Sequence, residues 1–199
     1  MSLRLFLDCA DPQAWRQWLP SGLFRGITTN PTLLLRAGQP CTLERLEQLT
    51  GDALALGAQE LHLQAWGSDL VACGRALAAL APGRIWVKLP ITFTACYEPA
   101  QVLLAAALGA EYIAPYLGRI GDLGRDGHGE LVRMQRCVAG VGSPLRLLVA
   151  SLRSPNDLAR LAAEGLDTFT ISPAIAGALF AVEPTEAAAA QFERDALAG

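Results

Sequence analysis

The sequence contains a single lysine, Lys88, among sixteen basic residues, so the other fifteen are arginine. It has only two histidines, His62 and His128, and their positions show no metal-ligand spacing. Its five cysteines stand far apart, without a C-x-x-C pair. We therefore expect no metal, and the odd number of unclustered cysteines favours reduced thiols in a cytoplasmic protein.

Long apolar runs and basic clusters are also missing. No apolar stretch approaches the roughly 20 residues of a membrane span. The N-terminal apolar stretch is short and meets Asp8 and Asp11, so we expect no signal peptide. A net charge of −3 and a pI near 5.4, without basic clusters, argue against nucleic acid as a partner. The 52 % hydrophobic fraction instead predicts a well-packed globular protein.

Short strand-like runs alternate with stretches of helical spacing along the chain. "LRLFLDC" (3–9), "ELHLQAW" (60–66) and "RIWVKLP" (84–90) indicate strands, whereas "TLERLEQLTGDALALG" (42–57) and "SPNDLARLAAEG" (154–165) indicate helices. This alternation without a linker predicts one α/β domain over residues 1–199 with a parallel sheet. Because glycine-rich nucleotide fingerprints are absent, we favour a TIM-type βα-barrel over a Rossmann-type fold.

The lone lysine lies near the end of the strand-like stretch "RIWVKLP" (84–90), the fourth predicted strand of the chain. Its neighbours there are the apolar residues Ile85, Trp86, Val87 and Leu89. An amine that must lose its proton and attack a carbonyl cannot be replaced by arginine, which stays charged. Burial among apolar groups lowers a lysine pKa and supplies the free amine that a Schiff base needs. The alternatives are a lysine that reaches solvent, an ion pair with Asp8, or a genome that simply uses few lysines.

Six stretches occur in the order "LFLDCAD", "GITTNPTLL", "WVKLP", "AEYIAPYLGRI", "LLVASLRSP" and "FTISP". Together they resemble the transaldolase family, and especially its small fructose-6-phosphate aldolase branch, over nearly the whole chain. The resemblance implies a βα-barrel that forms a Schiff base with a ketose phosphate. It also implies cleavage or transfer of a dihydroxyacetone unit without metal or cofactor.

The resemblance implies four catalytic residues. Lys88 would be the nucleophile, and Asp8 would orient hydroxyls and support proton transfer, unless it only caps a turn. Gln64 matches a position that holds a catalytic water, where glutamine is typical of the aldolase branch. Tyr116 would donate a proton at the cleaved bond, or else form an aromatic lid over the mouth of the barrel, the end where the carboxyl ends of the strands meet.

The resemblance also implies a substrate-binding set. The T-T-N stretch would hold sugar hydroxyls, although with Pro31 it also suits a turn. Two arginines and a serine would grip phosphate, since a guanidinium binds phosphate bidentately. A threonine on the fifth strand would complete the set, while Cys96 nearby is expected only to pack. These predicted binding residues are Thr28, Thr29, Asn30, Thr94, Arg119, Ser151 and Arg153.

The chain departs from the family between the fourth and fifth strands, where "VKLPITFTACYEPAQ" runs on without a helix. The six residues from Lys88 to Thr94 span at most about 20 Å, and neighbouring parallel strands need a crossover of roughly a dozen residues. We therefore predict that "PITFTACY" is a loop and that seven strands remain. The alternative is strand exchange between two chains.

Two functions remain open at this point. One is a Schiff-base aldolase or transaldolase acting on a phosphorylated sugar; the other is a catalytically impaired sugar-phosphate-binding protein. The stretch "EPTEAAAAQFERDAL" (183–197) suits a helix. In the family this region packs on a neighbouring subunit, which predicts a homo-oligomer, unless the helix folds back on its own barrel.

Overall fold

The computed structural model describes residues 3–90 and 94–198. Within them strands alternate with helices, as the sequence predicted, but the strands number eight. The strands are β1 Arg4–Asp8, β2 Gly26–Thr28, β3 Glu60–Gln64, β4 Ile85–Lys88, β5 Thr94–Cys96, β6 Tyr112–Pro115, β7 Arg146–Val149 and β8 Thr168–Ile171. The α-helices are α1 Pro12–Trp18, α2 Pro31–Arg36, α3 Leu43–Ala55, α4 Leu70–Leu80, α5 Pro99–Ala107, α6 Leu117–Asp122, α7 Gly127–Gly140, α8 Pro155–Ala163, α9 Pro173–Ala178 and α10 Glu183–Ala198.

All the strand pairs of the sheet are parallel, in the order β4-β3-β2-β1-β8-β7-β6-β5. The two ends of this order, β4 and β5, follow one another in sequence but do not pair in the part of the chain described. The sheet is therefore a nearly closed barrel, and the prediction of a TIM-type βα-barrel is confirmed.

The prediction of seven strands is wrong, because part of "PITFTACY" forms β5. Thr94 lies opposite Ala114 and Cys96 lies opposite Pro115, the last two residues of β6. β5 therefore begins at the level of the barrel mouth, where β4 ends at Lys88. The chain does not have to return to the bottom of the barrel, so a crossover of a dozen residues is not needed. One chain supplies all eight strands of the described barrel.

Alternation along the strands creates two apolar cores. Outward-facing residues such as Leu7, Ile27 and Leu61 are buried between the strands and the helices. A smaller cluster around Phe6 and Leu148 fills the barrel interior. Polar side chains are also buried in this interior, among them Glu60 and His62 of β3, whose ring packs edge-on against Phe6.

Helices begin directly after strands through a repeated pairing of a capping residue with proline. The Asp11 carboxylate accepts from the backbone N–H of Gln13, and Pro12 occupies the first helical turn. Proline suits this position because its missing N–H would have no partner within the helix. Asn30 and Pro31 repeat the pattern at α2, which fixes where Asn30 lies relative to the end of β2.

The prediction of a helix over 183–197 is confirmed by α10. Its apolar side chains are exposed in the isolated chain: Phe192 is 70 % exposed and Leu197 is 89 % exposed. The predicted packing of this helix on a neighbouring subunit stays a prediction. Across 3–90 and 94–198, no helix has the length and apolar character needed to cross a membrane.

Candidate active site

The mouth of the barrel holds a cavity of about 570 Å³ at the carboxyl ends of the strands. The structure brings eight of the eleven predicted site residues to its wall. They are Asp8, Asn30, Gln64, Thr94, Tyr116, Arg119, Ser151 and Arg153. The carboxyl end of a TIM-type barrel is where active sites of this fold lie, so the fold itself gathers residues that are far apart in sequence.

Lys88 is the last residue of β4, opposite Gln64 on β3, and only 9 % of it is exposed. Burial lowers the pKa of its amine, while the negative charge of Asp8 acts in the opposite direction. Among residues 3–90 and 94–198, no carboxylate forms a salt bridge with Lys88 and no side chain hydrogen-bonds to its amine. The alternatives of a solvated lysine and of a close ion pair with Asp8 are therefore wrong for the described structure.

Lys88 is not among the described residues that line the mouth; it lies on the wall of a second cavity of about 220 Å³. This cavity lies in the barrel wall between β4 and β6, beside the break between β4 and β5. His62, Trp86 and Tyr112 also line it. Lys88 thus lines this second cavity while its strand neighbour Gln64 lines the mouth, an arrangement that the sequence did not predict.

Asp8 is held by Thr28, whose hydroxyl donates to Asp8 Oδ1 over 2.5 Å and lies 2.6 Å from the Thr170 hydroxyl. Thr28 is fully buried and does not line the mouth cavity. Its place in the structure is beside Asp8 on the neighbouring strand β2, where it fixes one carboxylate oxygen. The reading of Asp8 as a helix cap does not hold, because Asp11 caps α1.

Tyr116 follows β6, and its hydroxyl lies 3.2 Å from the hydroxyl of Thr94. The guanidinium of Arg119 lies over the Tyr116 ring, 5.0 Å from its centroid, within the range of a cation–π contact. Thr94 is the first residue of β5 and 5 % exposed. Thr94 therefore reaches the site despite the missing helix.

Arg119, Ser151 and Arg153 line one side of the mouth. Gly118 makes their close approach possible: a Cβ there would lie 2.3 Å from Arg153 Nε and 2.5 Å from the Ser151 carbonyl oxygen. Ser151 itself has φ 59°, an uncommon conformation for a residue with a side chain. Such backbone strain is found preferentially at functional sites.

The loop after β7 is held by Asp157, which accepts hydrogen bonds from the backbone N–H groups of Arg153 and Ser154. Burial alone would raise the pKa of Asp157, but these donors hold it below its usual value. The Arg153 side chain also pairs with Asp122 at 2.6 Å. Both partners of that pair are more than 60 % exposed, so phosphate can compete for the guanidinium.

The T-T-N stretch is divided by the alternation of side chains. Asn30 lines the mouth, and its side-chain oxygen also accepts from Leu33 N–H over 3.0 Å. Both predicted roles of Asn30, turn and mouth residue, are thus compatible. Thr29 does not line the mouth: it is 2 % exposed, and its hydroxyl has no hydrogen-bond partner in the part of the chain described.

Arg36, an exposed residue at the end of α2, also lines the mouth and was not predicted from the sequence. In α2, Arg36 follows Thr32 and Leu33 by four and three residues, and both of these also line the mouth. Residues at this helical spacing share a face. Helical spacing counted from the Asn30-Pro31 cap was therefore a signal that could have identified Arg36.

A polar network inside the barrel, below Lys88, was also not predicted from the sequence. Glu60 is 2 % exposed and accepts hydrogen bonds from Arg25 and from the Tyr112 hydroxyl. Burial would raise the pKa of Glu60, but His62 and Arg25 hold it at about 2. Burial lowers the pKa of His62, and the charge of Lys88 lowers it further. No cluster of three or more His, Cys, Asp or Glu residues suited to a metal occurs among the described residues.

Comparison with known proteins shows the family to which the chain belongs. The family model described as Transaldolase/Fructose-6-phosphate aldolase matches residues 87–198. A "Probable transaldolase" from a Caulobacter species is 34 % identical over 215 aligned residues, covering 97 % of this chain and 96 % of the relative. A second "Probable transaldolase", from Caulobacter vibrioides, is 32 % identical with the same coverage. The chain belongs to the transaldolase/fructose-6-phosphate aldolase family, and with it to the aldolase and transaldolase class of enzymes.

A solved structure described as a citrate synthase variant, SbnG, is similar in fold only. It has a TM-score of 0.50 and 14 % sequence identity, over 98 % of this chain and 95 % of that one. The likeness agrees with the barrel architecture.

Proposed function

We propose that the protein is a Schiff-base aldolase or transaldolase that cleaves or transfers the dihydroxyacetone unit of a ketose phosphate such as fructose 6-phosphate. The observation that carries the proposal is the state of Lys88, the only side-chain amine of the chain. It is buried with a lowered pKa and lies beside a mouth lined by three arginines, Arg36, Arg119 and Arg153. An amine whose pKa is lowered by burial, next to an anion-binding wall, suits a phosphorylated carbonyl substrate.

In the first step, the Lys88 amine attacks the C2 carbonyl of the ketose and forms a C–N bond. The carbonyl oxygen takes up two protons and leaves as water, which produces an iminium carbon. Because the free amine is the attacking form, the desolvation that lowers the pKa of Lys88 raises the reactive fraction at neutral pH.

In the second step, the C3–C4 bond breaks and its electron pair moves toward the iminium nitrogen, giving an enamine. The C4 hydroxyl loses its proton as the aldehyde product forms. Tyr116 and Asp8 are the candidates to carry this proton, because both line the mouth on either side of the Lys88–Gln64 strand ends. Addition of the enamine to a second aldehyde gives transfer, and its protonation and hydrolysis give aldol cleavage.

Substrate binding is assigned to the remaining mouth residues. Arg119, Ser151 and Arg153 would hold phosphate, with Arg36 as a further cation at the mouth. Thr94, Asn30 and Gln64 offer hydroxyl and amide groups to the sugar hydroxyls and to a catalytic water. Thr28 would act through Asp8, which it orients. We assign no substrate contact to Thr29.

Borohydride reduction in the presence of fructose 6-phosphate tests the proposal directly. Mass spectrometry of the digested protein should find the reduced adduct on Lys88, and the K88M variant should lose it. The N-terminal amine is the internal control, because it is the only other primary amine of the chain. If saturating fructose 6-phosphate gives no Lys88 adduct in a folded protein, the proposal is wrong.

A second candidate function is sugar-phosphate binding without turnover. It is favoured by the missing helix between β4 and β5 and by the position of Lys88 outside the mouth lining. A displacement of about 1 Å in a catalytic geometry can cost around a hundredfold in rate. Phosphate-dependent binding of fructose 6-phosphate together with the absence of carbon–carbon cleavage would select this candidate.

A further inference from the structure

In residues 3–90 and 94–198, β4 and β5 do not pair, and a cavity of about 220 Å³ lies beside this break in the barrel wall. Its wall contains Lys88 at one end and half-buried residues such as Ala110 near the surface. The mouth cavity has a separate set of described lining residues and shares none of them with this cavity. The lysine is therefore bordered by a space that the sugar-phosphate site does not use.

The chemistry of this cavity differs from that of the mouth. Three aromatic rings lie against one another on its wall: His62 and Trp86 are stacked 5.9 Å apart, and Tyr112 lies edge-on to both. The only described cations and anions on the wall are Lys88 and Glu111. No arginine is present there to hold phosphate, so this wall suits a flat, apolar molecule.

One polar contact shapes the outer rim. The Trp86 indole N–H donates to Glu111 Oε2 over 2.6 Å, and Glu111 is exposed. Because the Trp86 N–H is paired with Glu111, the apolar part of the indole ring forms the wall of the cavity. A ligand that enters beside it would meet ring faces and apolar atoms before it reaches Lys88.

We propose that this lateral cavity is a second site, for small aromatic aldehydes, which enter through the barrel wall and form an imine with Lys88. The inference concerns the same amine as the proposed function, and so it rests partly on it. In the reaction the amine forms a C=N bond to the aldehyde carbon, and the carbonyl oxygen leaves with two protons as water. An aromatic aldehyde without a hydrogen on the α-carbon cannot go on to an enamine. Its imine is a reversible dead end that blocks the sugar reaction.

The test compares benzaldehyde with fructose 6-phosphate, each reduced with borohydride on the full chain, with the Lys88 adduct measured by mass spectrometry. Ala110→Leu places additional atoms at the cavity wall and is expected to lower the initial rate of benzaldehyde adduct formation at least fivefold, without changing the fructose 6-phosphate adduct. Ala107→Leu, on the exposed face of α5, is the matched control and should change neither rate. If Ala110→Leu does not fold, Ala110→Val tests the same wall with a smaller change.

The two proposals fail in different ways. If benzaldehyde labels Lys88 at the same rate in the wild type and in the Ala110 variants, the aldehyde enters by the mouth and the lateral site is wrong. If fructose 6-phosphate labels Lys88 and benzaldehyde does not, the lateral site is also wrong. If benzaldehyde labels Lys88 in an Ala110-dependent manner but fructose 6-phosphate does not, the lateral site stands and the proposed function is the one that fails.

Discussion

The Thr28 hydroxyl donates a hydrogen bond to Asp8 Oδ1 over 2.5 Å, from a position beneath the mouth where no solvent reaches it. The same hydroxyl lies 2.6 Å from that of Thr170, so a chain of two buried hydroxyls supports the carboxylate. Register explains the arrangement, because Asp8 and Thr28 are opposite one another on β1 and β2. The first threonine of the T-T-N stretch thus acts on the site through Asp8.

Thr28→Val should weaken both stability and catalysis. Hydrogen bonds to charged groups contribute about 1.5–3 kcal/mol, so we expect a loss of about 2 kcal/mol in the free energy of unfolding, measured by urea titration. Turnover of fructose 6-phosphate should fall because Asp8 loses its support. Thr50→Val is the matched control, because Thr50 is also buried and its hydroxyl has no hydrogen-bond partner among the described residues. Equal effects of the two substitutions would contradict the role given to Thr28.

Tyr116 combines a hydroxyl near Thr94 with a ring beneath Arg119, and two substitutions separate these parts. Tyr116→Phe keeps the ring, so KM for the sugar phosphate should hold while kcat falls by about 10²–10⁴, the usual contribution of a proton donor. Tyr116→Ala removes the ring as well and should also raise KM. Steady-state kinetics of both variants is the measurement. A Phe variant with unchanged kcat would leave Tyr116 as a lid only.

Gly118 is expected to be indispensable for phosphate binding. An added Cβ would lie 2.5 Å from the Ser151 carbonyl oxygen and 2.3 Å from Arg153 Nε, so Gly118→Ala must push α6 away from the loop after β7. We expect a KM for fructose 6-phosphate at least tenfold higher and a stability loss of about 1–3 kcal/mol, typical of overpacking. Gly121→Ala on the same helix meets no atom within 4 Å. It should be neutral or stabilising, by up to about 1 kcal/mol, and a similar loss in both variants would exclude the steric explanation.

The strand ends were predictable because their polar residues follow apolar runs, and parallel strands place those ends together. The presence of β5 was not predictable. The rule that neighbouring parallel strands need a crossover of roughly a dozen residues assumes that both strands begin at the same level of the barrel. The pairing of Thr94 with Ala114 places β5 near the mouth. The lateral cavity was not predictable for the same reason. It lies between β4 and β6, because β5 pairs only with the end of β6 near the mouth.

The buried network around Glu60 was also not predictable from the sequence. Glu60 shares its strand with His62, but its hydrogen-bond donors Arg25 and Tyr112 are distant in sequence. Local spacing contains no information on such contacts. The resemblance to a family did carry information of this long-range kind, which is why eight of eleven site residues were found at the mouth.

The lowered pKa of Lys88 has a measurable consequence for stability. In the unfolded chain a lysine has a pKa of about 10.4, whereas burial lowers that of Lys88 in the folded protein. Between these two values the unfolded chain binds more protons than the folded one. The free energy of unfolding must therefore rise as pH increases through this interval, by up to about 1.4 kcal/mol per pH unit.

Comparison of the wild type with K88M isolates this contribution. Burial raises the pKa of the Cys9 and Cys96 thiols to about 11, so these groups lower stability as pH rises above their unfolded pKa. They are present in both proteins and cancel in the difference. Urea unfolding between pH 7 and 10 should show the wild type gaining stability relative to K88M with increasing pH. Parallel curves would mean that the amine keeps its proton in the folded state, and it would then be unavailable for attack on a carbonyl at neutral pH.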